Sequence, residues 1–217
     1  MIRLYHDPGS ASMVPHVLLE EIGTPFELKR VPRAQARHKT PEYLALNPNG
    51  LIPVLVDADL VLYETAAICL YLADRFPHAA LAPPPGASAP RAHFQKWLVW
   101  LTNTLQAMLL HCFYPQRMVD DGDAAAAAQV QAHARSRVGG MLEQLDAQLA
   151  SHGKPWLLGE HYSAVDPYAF TLCRWTRGFD TRPARDYPQL GPYLQRMLQR
   201  PALQRALHTE GLAPPFV

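Results

Sequence analysis

The spacing of apolar positions divides this chain into two parts. Residues 2–6, IRLYH, read as a short strand. From Met13 to Ile22 the residues Val14, Val17, Leu18 and Ile22 share one helical face, and Gly23 is the residue type that commonly ends a helix. Phe26–Val31 predicts a second strand. Thr40–Leu46 predicts a short helix with Thr40 as its cap and Pro41 at the first helical position. Two apolar runs, Val54–Val56 and Leu60–Tyr63, flank a turn at Asp57–Asp59 and predict a hairpin. Thr65–Phe76 closes this part as a third helix.

The segment FPHAALAPPPGASAP then changes character, and its prolines, glycine and alanines predict a semi-rigid linker. Every pattern after it is helical. Phe94, Trp97, Leu98, Leu101, Leu105, Met108, Leu109 and Cys112 form one stripe within Arg91–Phe113. Ala124–Ala150 carries Val130, Ala134, Val138, Leu142, Leu145 and Leu149, and its alanine run favours helix. Another helix follows Tyr162-Ser163, and Pro192–Gln199 and Pro201–Leu207 complete the set. Ser163 and Asp166 have the spacing of a capping box, with Asp in place of Glu, and are assigned to folding rather than chemistry. Strand–helix–strand, hairpin, helix implies a parallel pair with a right-handed crossover, extended by antiparallel strands. The expected fold class is therefore an α/β domain of thioredoxin-like arrangement over residues 1–78, a linker over 79–90, and an all-α helical-bundle domain over 91–217.

Composition narrows the functions. The chain has 217 residues, about half of them apolar, and a formal net charge of +1. No basic excess points to a nucleic-acid partner. No stretch has the length of a membrane span, and the N-terminus lacks a signal-peptide pattern, so a cytoplasmic protein with no membrane partner is expected. Cys69, Cys112 and Cys173 are far apart, lie among apolar residues and form no CxxC. They read as buried free thiols of a reducing compartment. The ten histidines show no ligand spacing, and no metal is expected.

Several segments, in order, resemble the cytosolic glutathione transferase family over essentially the whole chain, closest to its bacterial beta-like and theta-like members. They are LYHDPGSASMVPHVLLEE, HKTPEYLALNPNGLIPVL, LYETAAICLYLADRF, SAVDPYAFTLCRW and YPQLGPYLQRMLQRPALQRAL. The resemblance implies glutathione as co-substrate, a small hydrophobic electrophile as second substrate, and a homodimer. It implies conjugation of the glutathione thiolate to that electrophile. Isomerisation, dehalogenation or peroxide reduction would use the same site, and a non-catalytic binding protein of the same fold is the alternative from another class.

Residue by residue, the resemblance puts the backbone of Ile52, before a cis Pro53, against the cysteinyl part of glutathione. Physically, proline makes a cis bond accessible, and a strand start with outward amide and carbonyl can pair with an extended peptide. Glu64 and Thr65, at a helix start, suit the ammonium and carboxylate of the γ-glutamyl end. His38 or Lys39 would meet the glycine carboxylate. His111, Phe113, Tyr114 and Trp175 are candidates for the hydrophobic site. A free thiol has a pKa near about 8.5, so a hydroxyl donating to sulfur near a helix start is needed to favour the thiolate. Beta-like members carry a cysteine where Ala11 stands here, which leaves Ser10, Ser12 and Tyr5 as donors. Ser12 is put first, because it matches the theta-like serine best and because Pro15, three residues on, has no amide hydrogen to donate to its hydroxyl. Ser10 is the alternative.

Overall fold

A computed structural model describes residues 1–217. The sheet is organised around β1 (Ile2–His6). It pairs in parallel with β2 (Phe26–Arg30) and antiparallel with β3 (Val54–Asp57), and β4 (Leu60–Tyr63) forms the far edge beside β3. Period-2 alternation sorts β3 between two cores. Leu55 joins Leu4 and the apolar faces of α1 (Met13–Ile22) and α3 (Thr65–Arg75), while Val54 and Val56 pack with Val31 and Tyr43 on the opposite face. Tyr43 belongs to the one-turn helix α2 (Pro41–Leu44).

The second part is helical throughout. α4 (Ser88–Trp100) passes through a π-helical stretch, Leu101–Gln106, into α5 (Ala107–Phe113). Then come α6 (Ala124–His152), α7 (Val165–Trp175), α8 (Leu190–Leu198) and α9 (Pro201–Thr209). One apolar cluster is continuous from β1 and α1 through α7 to α9. α9 returns to lie against α1, where Arg200 holds Glu21 by two bonds (2.6 and 2.9 Å) and Arg205 holds Glu20 (2.5 Å). No helix is long and apolar enough to cross a membrane.

The structure shifts several sequence expectations. The helix expected from Arg91 begins at Ser88, since a proline is tolerated in a first turn where no intrahelical amide bond is lost. The short helix is Pro41–Leu44, and Thr40 occupies the cap position without capping, because its hydroxyl donates to the Arg37 carbonyl (3.2 Å). The Ser163–Asp166 motif does form: Asp166 Oδ2 accepts from the Ser163 amide at 2.8 Å. Asp166 Oδ1 also accepts from the Leu157 amide (2.9 Å) and the Tyr193 hydroxyl (3.0 Å), so one buried carboxyl ties a loop, α7 and α8 together.

Candidate functional site

Strand register gathers the candidate residues at one end of the sheet. Tyr5 pairs with Val54 and Val54 with Tyr63. The exit of β1, the entry of β3 and the exit of β4 therefore lie side by side, which juxtaposes the loop after His6, Ile52-Pro53 and Glu64-Thr65. β2 runs parallel to β1, with His6 opposite Arg30, so the segment that carries His38 and Lys39 departs from the same end.

The loop from β1 to α1 holds two serines with different surroundings. Ser12 is fully buried. Its Oγ accepts from the Asp7 amide (3.2 Å), donates to the Asp7 carbonyl (3.2 Å), lies 2.9 Å from Ser10 Oγ, and makes no helix cap. Pro15 does leave the Ser12 hydroxyl without its usual capping amide, as the sequence predicted, but the hydroxyl turns inward to the loop. Ser10 receives the Ser12 amide (3.3 Å) and lines an open cleft. Tyr5 packs edge-on against Tyr43 and does not line that cleft.

Gly9 sits between these groups at φ 70°, a conformation that favours glycine, and an added Cβ would stand 3.3 Å from Arg174 Nη1. Both of its peptide groups are held by the helical domain. Its amide donates to Glu210 Oε2 (2.7 Å), and its carbonyl accepts from Trp175 Nε1 (2.9 Å). Glu210 Oε1 lies 2.8 Å from His16 Nδ1, and both side chains are buried. This contact ties α1 to the C-terminal end of α9. Glu210 is a residue that sequence reasoning missed, since it stands 201 positions from Gly9 without a local pattern. We expect Glu210→Gln, which puts an amide NH2 against one of its two partners, to lower kcat about tenfold while shifting glutathione affinity less than threefold. Steady-state kinetics beside calorimetric titration would check this.

The peptide bond Ile52-Pro53 is cis. The Ile52 amide and carbonyl make no hydrogen bond within the chain, whereas the neighbouring Leu51 carbonyl accepts from both Tyr43 Oη and Asn47 Nδ2 (2.8 Å each). Glu64 has φ 71°, unusual outside glycine, and introduces α3. Ile68 is the first residue of that helix whose amide finds a carbonyl, at 3.0 Å from Glu64, so the amides of Thr65, Ala66 and Ala67 stay free. Gly50 brings the remaining segment close: a Cβ there would lie 2.8 Å from Lys39 Nζ and 2.9 Å from the His38 carbonyl. Burial, then Lys39 and Arg33, hold the His38 imidazole below its ordinary pKa. Lys39 is the cation beside it. Unpaired strand-like backbone, a free helix start and a lysine suit a short extended peptide with carboxylates at its ends.

Beside Ser10 the cleft has a volume of about 220 Å³, lined by Pro8, Gly9, Arg33, Leu110, Phe113, Tyr114, Trp175 and Arg177. Phe113 and Trp175 meet edge to face with centroids 6.2 Å apart. Phe113, Tyr114 and Trp175 line this cleft and His111 does not: Leu110, Phe113 and Tyr114 repeat at the three- and four-residue spacing of one helix face, and His111 lies off it. Arg33 and Arg177 are further lining residues without a sequence signal: one opens a single 3-10 turn, Arg33–Gln35, and the other lies in the turn after α7.

Comparison with known proteins follows the same division. Residues 1–74 match the family model of the glutathione S-transferase N-terminal domain, and residues 101–201 that of its C-terminal domain. The chain is 32% identical to the glutathione S-transferase GST-4.5 of Xanthomonas campestris pv. campestris, over 97% of this chain and all of that one. This chain is a glutathione S-transferase family member. Among solved structures it resembles a beta class glutathione S-transferase of Sphingomonas chungbukensis (TM-score 0.81, 32% identity, 97% of this chain and 100% of that one). It also resembles the theta class enzyme of Xanthomonas axonopodis pv. citri, solved with glutathione bound (TM-score 0.78, 32% identity, 94% and 96% covered). As a glutathione S-transferase it is distinguished by its thiols. Cys69, Cys112 and Cys173 are all buried, and burial raises all three pKa values, that of Cys173 to about 12. None is placed to act as a nucleophile, and Ala11, at the loop, is itself buried.

Proposed function

We propose that this glutathione S-transferase conjugates the glutathione thiolate to an electrophilic carbon of an apolar substrate, with Ser10 activating the thiol. The observation that carries this is Ser10 lining the aromatic cleft, at the sheet end where Ile52 offers unpaired backbone groups. Glutathione lies along Ile52, with its γ-glutamyl end at Glu64, Thr65 and the free amides of α3, and its glycine carboxylate at Lys39 and His38. The sulfur then faces Ser10 and the N-terminus of α1.

Ser12 prepares that hydroxyl. The Ser12 hydroxyl carries one hydrogen, within reach of both the Asp7 carbonyl (3.2 Å) and Ser10 Oγ (2.9 Å); when it turns to Ser10, it and the Ser12 amide (3.3 Å) fill both Ser10 lone pairs. The Ser10 hydrogen is then free to point at sulfur. Bringing a thiol from about 8.5 to 6.5 takes roughly 2.7 kcal/mol. A hydrogen bond to a charged group contributes about 1.5–3 kcal/mol, and a helix N-terminus about 0.3–1 kcal/mol. The two together are sufficient. The thiol proton leaves to solvent, the S–C bond forms, and the leaving group departs with the electron pair of its bond.

A homodimer in the cytoplasm completes the proposal. The edge strand β4 exposes Leu60 and Val61, and α4 exposes Val99, surfaces that a second copy would cover. We expect the purified protein to elute as a dimer, bind glutathione in calorimetry and turn over chlorodinitrobenzene. Absence of glutathione binding would sink the proposal. Binding without turnover across aryl halides and hydroperoxides would leave a binding protein in its place.

A further inference from the structure

The cleft beside Ser10 combines an aromatic wall with cations that have no counter-ion. Arg33 and Arg177 line it from opposite domains, and no carboxylate does. Arg117 stacks over the Tyr114 ring at 4.1 Å, and Arg33 donates to the Tyr114 hydroxyl. Arg174 is buried behind Gly9 with its Nε unpartnered. None of these four arginines takes part in any of the ion pairs of the chain. The acid within electrostatic reach of Arg174 is Glu210, whose oxygens are occupied by Gly9 and His16. Arg177 spends one Nη1 hydrogen on the Arg174 carbonyl (3.1 Å) and has no partner for Nε or Nη2. Arg33 and Arg117 are exposed and Arg177 is half-buried, so these guanidinium groups are open to an anion that enters the cleft.

Resting on the conjugation proposed above, we infer that the second substrate is an aromatic electrophile that carries a carboxylate or comparable anionic group. Its ring sits among Leu110, Phe113, Tyr114 and Trp175, and its charge rests on Arg177, with Arg33 and Arg117 adding to the field. The glutathione carboxylates are a different source of negative charge. They are met elsewhere, because Ile52, Glu64, Thr65, His38 and Lys39 do not line this cleft. Planar, bidentate pairing with a carboxylate is what guanidinium does best. The cleft volume of about 220 Å³ is below the roughly 300–1,000 Å³ of sites for drug-sized ligands, which suits a single substituted ring.

The test compares two S-aryl conjugates of glutathione, one made from chlorodinitrobenzoate and one from its methyl ester. Calorimetry reads their affinities without relying on turnover. The carboxylate conjugate binds about tenfold more tightly than the ester. Arg177→Gln removes that preference and leaves glutathione and the ester conjugate within twofold of wild type, and Arg177→Lys restores part of it. Added salt weakens the carboxylate conjugate selectively. Equal affinities in the wild type, or an equal loss for both conjugates in Arg177→Gln, overturn the inference. So does a matching loss for glutathione alone, which would assign Arg177 to a glutathione carboxylate. If neither glutathione nor either conjugate binds, the conjugation proposal fails and takes this inference with it. Ester binding without charge preference defeats this inference alone.

Discussion

Ser10→Ala lowers kcat/KM for glutathione conjugation by about 10²-fold at pH 6.5 and by much less above pH 9. The size follows from one lost hydrogen bond to a charged sulfur, about 1.5–3 kcal/mol, at 1.36 kcal/mol per decade. The pH dependence follows from what the bond does. Below the free thiol pKa of about 8.5 the enzyme must supply the thiolate, and above it solvent supplies it. The apparent pKa of the bound thiol therefore rises toward the free value in the variant, while glutathione affinity, which the proposal assigns to Ile52, Glu64 and Lys39, changes within twofold. A profile displaced equally at all pH values would show that Ser10 acts on geometry rather than ionisation. Ser12→Ala separates the two serines further. It leaves the Ser10 hydroxyl at the cleft with one of its donors removed (the amide remains), so its loss is smaller than that of Ser10→Ala.

The largest effect on stability is expected at Asp166. Asp166→Ala leaves two backbone amides, the Tyr193 hydroxyl and the Ser163 hydroxyl without their shared acceptor in a dry interior. Unfolding free energy falls by about 3–5 kcal/mol. For a chain of this size that lowers Tm by roughly 6–20 °C, at about 2–4 °C per kcal/mol. Asp166→Asn adds a pH signature. Burial pushes the Asp166 carboxyl up to about 6, against the pull of its donors. An acid with a folded pKa above its unfolded value binds more protons in the folded state. Its contribution to stability is full below pH 4 and is lost as pH rises through 6, by up to about 3 kcal/mol. The asparagine cannot ionise. The difference in stability between wild type and Asp166→Asn should therefore shift in favour of the variant from pH 4 to 7. A difference independent of pH would remove ionisation from the account.

Local order carried the fold into the sequence. β1, α1, the hairpin and α3 each announce themselves by period and punctuation, and their succession leaves few ways to close a mixed sheet. Ile52-Pro53 and Glu64-Thr65 were legible for the same reason, since strand ends and helix starts are local events. The cleft was legible in part. Phe113, Tyr114 and Trp175 stand where aromatic residues close a helix or follow a family segment, but a helical stripe does not tell its outer neighbours apart, and so His111 entered in place of Leu110. The two serines show where a local pattern stops. Pro15 frees the Ser12 hydroxyl from capping, yet the direction it then takes depends on Asp7 and Ser10 across the loop. Glu210, Arg33 and Arg177 reach the site only through long-range packing. Their positions follow from α9 against α1, and from loops whose course no periodicity sets.

The hold on Gly9 from both sides gives the molecule a property that neither domain has alone. The loop that presents Ser10 starts and ends in the sheet domain, but its peptide groups are fixed by Trp175 and Glu210. On the proposed function, a sheet domain without its helical partner would keep the Ile52 and Glu64 groups assigned to glutathione and lose the two bonds that fix Gly9 beside Ser10. Capturing the tripeptide and sharpening its sulfur are thus divided between two stages of assembly. On the proposed function, thiol activation is therefore tied to the docking of the helical domain, through the bonds of Glu210 and Trp175 to Gly9.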